Sequence, residues 1–218
     1  QVIAGNERVV TPRLADAMFF WEQDRAQPLG SFVDKLDRVT FQKDLGSTGA
    51  TVQRTVTLAQ RLANALQADA GITERAARLA KADLQTTMVF EFPELQGLMG
   101  GYYARAAGES EAVSQAIAEH YFPVGAGAPI PTSREGCIVA LADKLDTLCG
   151  IFAIGQAPTG SKDPFALRRA ALGILRILIE GELNLDLVEA VQWTLQAQPS
   201  GQRDDAMARQ ICEFLWER

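Results

Sequence analysis

The chain has 218 residues, 47% hydrophobic and 22% charged, which is the make-up of a globular protein long enough to bury a substantial core. A formal net charge of −6 excludes a generic polyanion binder, so any contact with nucleic acid must come from a local basic patch. No apolar run reaches membrane-spanning length and no signal peptide is visible, so the expected location is cytoplasmic, and Cys137, Cys149 and Cys212, without metal-type pairing, are expected as small buried thiols in a reducing compartment.

In chain order, QVIAGNERVV reads as the tail of a strand already under way, with Gln1 where an initiator Met would stand. Arg13 to Arg25 reads as a helix with Pro12 near its start and Leu14, Ala17, Met18 and Trp21 on its apolar side, so Phe19, Phe20 and Trp21 are expected in the core rather than as a stacking platform. GSFVDKLDRVTFQKDLG predicts a shorter helix and a turn, and Gly46 to Gly49 breaks the pattern. Val52, Val56, Ala59, Leu62 and Leu66 mark a long helix, after which Thr73 offers a cap for the next one, through Leu84. TTMVFEFPELQGLMGGYYA is apolar and aromatic but broken by Pro93, Gly97, Gly100 and Gly101, and predicts a packed helical connector. Val113 to His120 continues the helical repeat, VGAGAPIP is a loop, and two final helices are expected over Leu185 to Ala197 and Asp204 to Trp216. No run alternates as a strand should, so the fold class is all-α.

The stretch from Ala140 to Arg176 organises the rest. Ile138, Leu141, Leu145, Leu148 and Phe152 share one face of a helix that leaves Asp143 and Asp146 together on its flank. GQAPTGSKDP follows as a loop, where Asp163 can cap the next helix and Pro164 suits its first turn.

PTGSKDPFALRRAALGILRIL resembles the signature of the β subunit of the bacterial heterotetrameric glycyl-tRNA synthetase, and so do GNERVVTPRLADAMFFWEQDR and KADLQTTMVFEFPELQGLMGGYYA. The likeness runs from Gly5 to about Leu187. It implies an internal piece of a several-fold longer subunit, lacking N-terminal domains and a C-terminal anticodon-binding region. It also implies that ATP and Mg2+ are used at the α subunit, while the β subunit serves tRNA recognition and assembly. The partners implied are tRNA(Gly), the α subunit and the remaining β-subunit domains, with no membrane and no cofactor in this piece.

The helix order further resembles the HD superfamily of metal phosphohydrolases, as a helical bundle with additional flanking helices. ALADKLD places Asp143 at the final metal-binding Asp and LAKADL places Asp83 at the Asp of the His-Asp pair, but the His of that pair is Ala82 and the first His falls near Thr51. His120 lies where some HD enzymes carry an extra histidine, and it is the single histidine of the chain. Neutral imidazoles and carboxylates must converge to offset a metal ion's lost hydration. No catalytic residue is therefore assigned: Asp83 and Asp143 are expected to hydrogen bond across the old pocket, and His120 to be structural. P-loop, dinucleotide and nucleophile signatures are absent, as are amino-acid activation motifs. The expected divisions are 1–40 as an entry segment, 41–158 as the HD-like core and 159–218 as C-terminal helices.

For nucleic acid the candidates are Lys162, Arg168, Arg169 and Arg176, with Arg169 and Arg176 two turns apart, Gly173 near their face, and the amides of the helix start aimed at a phosphate. Equally open is the reading in which these cations pair with Asp146, Asp163 or Glu180. Arg8 and Arg13 form a second patch, read as structural. Three functions remain: a non-catalytic module that positions tRNA, a surviving metal-dependent phosphohydrolase, and a pure interdomain scaffold.

Overall fold

Polar caps in the sequence set where most helices begin. The computed structural model describes residues 2–218, with side chains from Asn6 onward. The elements are α1 (Val2–Arg25), a 3-10 segment (Leu29–Arg38), a hairpin of β1 (Thr40–Gln42) and β2 (Gly46–Ser47), α2 (Thr48–Ala65) and α3 (Ala70–Leu79). A 3-10 turn (Ala82–Gln85), α4 (Thr87–Glu91), α5 (Leu98–Ala106), α6 (Glu111–Glu119) and α7 (Arg134–Ala153) come next, then α8 (Leu167–Glu180), α9 (Leu187–Gln196) and α10 (Asp205–Trp216). Ser47, Asp69, Thr86, Ser110, Ser133, Asp186 and Asp204 each accept a hydrogen bond from an amide in the first turn of the helix they precede.

The all-α fold class holds, and α7 is its hub. It touches α2, α3, α6, α8, α9 and α10. Its residues are buried almost all round, as a helix without a polar face must be. Ile138, Leu141, Leu145 and Leu148 have no exposed surface, and each such side chain contributes about 1.5–3 kcal/mol by leaving water. All three cysteines are buried and unpaired.

Several elements differ from expectation. α1 is helical from Val2, so the strand tail does not form; Gln1 lies outside the described residues, and Pro12 sits inside the helix. Leu14, Met18 and Phe19 are more than 60% exposed, so the apolar side of α1 is only part covered and Phe19 is not core. Asp24 anchors the other end of α1: it accepts from the Thr87 and Met88 amides at 2.9 Å and from the Tyr103 hydroxyl at 2.8 Å. Its charge thereby satisfies the orphan donors that open α4. The 29–45 stretch is a 3-10 segment and a short antiparallel hairpin, with Thr40 opposite Ser47 and Gln42 opposite Gly46. Asp69, not Thr73, caps α3; Thr73 lies one turn inside and donates back to the Asp69 carbonyl at 2.6 Å. Pro164 precedes α8 by three residues instead of lying in its first turn.

Candidate functional site

Two neighbouring spaces lie where α7 meets the turn after α3, the end of α6 and the start of α8. A small internal cavity of about 10 Å³ is lined by Thr51, Thr55, Lys81, His120, Val139 and Asp143, among others. Beside it, sharing Thr51, Lys81 and Asp143, opens a groove of about 540 Å³ walled by Phe41, Tyr121, Lys144, Phe165 and Arg169.

Lys81, which belongs to none of the motif positions singled out in the sequence, is the centre of the site. Its ammonium sits 3.0 Å from the Asp143 carboxylate and 3.8 Å from the Tyr121 ring centroid. Burial alone would lower the Lys81 pKa, but Asp143 and Tyr121 outweigh it and hold it above its ordinary value. Burial likewise works to raise Asp143, and the nearby ammonium groups of Lys81 and Lys144 bring it below the usual carboxylate range. The two therefore form an ion pair at neutral pH.

Of the five positions matched to the HD motif, Thr51, His120 and Asp143 are brought together around the small cavity. Asp83 is not hydrogen bonded to Asp143, contrary to expectation. Its Oδ2 accepts from the amides of Gly97 at 2.6 Å and Gly100 at 2.9 Å, which fastens the start of α5. Burial lifts the Asp83 pKa to about 6 despite those two bonds. Ala82 is fully buried in the core. His120 Nδ1 lies 2.6 Å from the Ile117 carbonyl oxygen, and that contact makes Nδ1 the protonated nitrogen. Burial lowers its pKa to about 3, so the ring is neutral.

These donors do not fit a divalent ion. Among the described residues no three His, Cys, Asp or Glu side chains converge on one point. Asp143, the carboxylate a metal would need, already faces a fixed cation that would repel a second one.

Lys144 projects from α7 into the groove, 8% exposed, and donates to the Tyr121 carbonyl at 3.2 Å. Burial lowers its pKa to about 8, so it is mostly an ammonium at neutral pH. Its stem fits against α8 because Gly173 has no Cβ: one built there would lie 3.0 Å from Lys144 Cε. The space that Gly173 leaves on the face of Arg169 and Arg176 is thus filled by a lysine of the same chain.

The basic candidates separate. Arg176 ion-pairs with Glu180, and its Nη1 donates to the carbonyls of Gly125, Ala126 and Ala128, so it staples the VGAGAPIP loop. Arg168 donates to the Gly160 carbonyl at 2.6 Å. The amides of Leu167 and Arg168 go to the Asp163 carboxylate, so the start of α8 is already capped. Arg169 is exposed on the groove wall and Lys162 is exposed on the preceding turn; neither forms an ion pair among the described residues. Asp146, one of the acids open to these arginines on sequence grounds, is taken instead by Arg54 through bonds of 2.8 and 3.0 Å, and also accepts from Gln198.

Residues 1–218 match the family model described as glycyl-tRNA synthetase beta subunit. The chain is 53% identical over 218 residues to the glycine–tRNA ligase beta subunit of Pseudomonas syringae pv. tomato, and 51% identical to those of Stutzerimonas stutzeri and Azotobacter vinelandii. Each match takes in all of this chain and 32% of the relative, so the chain spans about a third of the length of the curated relatives it matches.

Proposed function

This chain belongs to the glycyl-tRNA synthetase beta subunit family, and from that premise we propose that it is a non-catalytic, HD-like module of a glycine–tRNA ligase that helps to position tRNA(Gly) and to join the flanking parts of its subunit. In this reading adenylate formation, with its ATP and Mg2+, takes place on the α subunit in the cytoplasm. The partners are that subunit, the tRNA and the rest of the β subunit.

The observation that carries the proposal is the Lys81–Asp143 pair. An ammonium fixed on the carboxylate that a hydrolytic metal would require leaves no ligand set for phosphodiester cleavage, while the wall beside it carries the exposed guanidinium of Arg169. RNA contact is assigned to Lys162 and Arg169, whose charges are not spent inside the protein. No step of the chemistry is routed through this chain; its residues orient and hold.

The test is tRNA binding by the 218-residue chain at several salt concentrations. Lys162→Glu combined with Arg169→Glu is expected to weaken binding and to flatten the dependence of log K on log salt by about one unit for each phosphate no longer neutralised. Equal binding by the variant, or none by the parent chain, would favour the scaffold. Metal-dependent nucleotide hydrolysis abolished by Asp143→Ala would restore the phosphohydrolase.

A further inference from the structure

We propose that the groove between α7 and the start of α8 is a binding site for one nucleotide unit, its phosphate held by Lys144 and Arg169 and its planar ring set against Phe165 or Phe41. At about 540 Å³ the groove is of a size that takes a ligand of this class, and it combines apolar walls with a few placed charges. Its charges do not cancel. Asp143 is spent on Lys81, so Lys144 and Arg169 face only Glu94 among the remaining ionic residues of the wall. Neither Lys144 nor Arg169 has a carboxylate partner among the described residues, and Lys144 is a buried cation whose bond to the Tyr121 carbonyl leaves two ammonium hydrogens for a ligand.

Helical geometry brings the two cations to one place. Gly173 is packed on the Lys144 stem, and Arg169 lies four residues before Gly173 on α8, hence on the same face one turn nearer the mouth. A phosphate there would meet an ammonium from below and a guanidinium fork from the rim, the pairing that charge-assisted bonding favours. Aromatic rings on the same wall supply stacking, which accepts any base.

The site reaches beyond tRNA positioning, because a free nucleotide satisfies it as well as the unpaired end of an RNA strand. Calorimetric titration of the 218-residue chain with AMP, adenosine and inorganic phosphate tests it. AMP is expected to bind at least about tenfold more tightly than either part alone, and Lys144→Met and Arg169→Ala each to weaken AMP about tenfold. Phe165→Ala should weaken AMP and leave phosphate unchanged. Lys144→Met keeps the stem that packs on Gly173, and Arg169 is exposed, so folding is preserved in at least the second variant, as far-UV circular dichroism would verify.

The proposal is overturned if AMP binds no more tightly than phosphate, if no saturable binding appears, or if both cation variants bind AMP normally. Displacement of AMP by a short single-stranded RNA would assign the nucleotide to an RNA end, and failure to displace it would assign a free nucleotide; either upholds the site. Lys162→Glu lies outside the groove wall and should leave AMP affinity unchanged whatever it does to tRNA, which keeps the failure of this inference separate from that of the tRNA reading.

Discussion

Replacing Lys81 by Met removes the ammonium and keeps most of the stem, leaving Asp143 part-buried without its counter-ion. The pair is 3.0 Å apart with side chains 12% and 14% exposed. At that separation the gross attraction is about 5 kcal/mol in an effective dielectric of about 20, and a buried pair broken on one side costs about 3–5 kcal/mol. Residual exposure favours the lower end, and removing the cation from the face of the Tyr121 ring adds about 0.5–1 kcal/mol. The expected loss at pH 7 is therefore about 3.5–4 kcal/mol, read from urea unfolding followed by far-UV circular dichroism. Lys81→Met combined with Asp143→Leu should recover most of it, because two apolar groups leave nothing unpaired. The folded Asp143 pKa lies below its ordinary value, so its stabilising contribution is complete above the unfolded carboxyl pKa near ~4 and disappears as pH falls through the folded one. The penalty of the single change should shrink over that acid range. A loss under about 1 kcal/mol at pH 7, or a double variant no better than the single, would refute the view that Lys81 is the counter-ion that keeps Asp143 ionised inside the fold.

Two buried groups give opposing pH slopes. Asp83, raised by burial to about 6 in the folded chain, holds a proton there that the unfolded chain releases near ~4, so stability falls as pH rises across that window, by at most about 1.4 kcal/mol per unit. Asp83→Asn keeps an oxygen for the Gly97 and Gly100 amides and should remove the fall, with greater stability at pH 7 in urea titrations. His120, lowered by burial to about 3, is protonated only in the unfolded chain between pH about 3 and its unfolded value near ~6.5, so stability rises with pH there; His120→Gln should flatten that rise. Arg54→Lys loses the two-pronged bond to Asp146 and the bonds to the Leu45 carbonyl and Thr51 hydroxyl, and should cost about 2–4 kcal/mol in chemical unfolding. Gly101→Ala would place a methyl 2.8 Å from both Ala118 Cβ and the Ser114 carbonyl oxygen, and should lower stability by about 1–3 kcal/mol by prising α5 from α6.

Local chemistry was readable from residue order alone. The 3.6-residue repeat of Leu141, Leu145 and Leu148 predicts α7, and Asp204 ahead of an apolar repeat opens α10, because caps and apolar stripes act within a few residues of themselves. The family resemblance was legible for the same reason, being carried by contiguous motifs. Partnership between distant residues was not. Lys81 and Asp143 stand 62 residues apart and Arg54 and Asp146 stand 92 apart, and no spacing rule says which of several acids a given cation will meet. Arg169 and Arg176 look equivalent along α8, yet Arg176 is consumed by Glu180 and by the carbonyls near residue 126, while Arg169 is left on the groove wall. Coulomb attraction and hydrogen bonding act over a few ångströms of space, whereas sequence records only distance along the chain; packing of α7 against its neighbours decided which charges were spent inside and which were left without an ion pair.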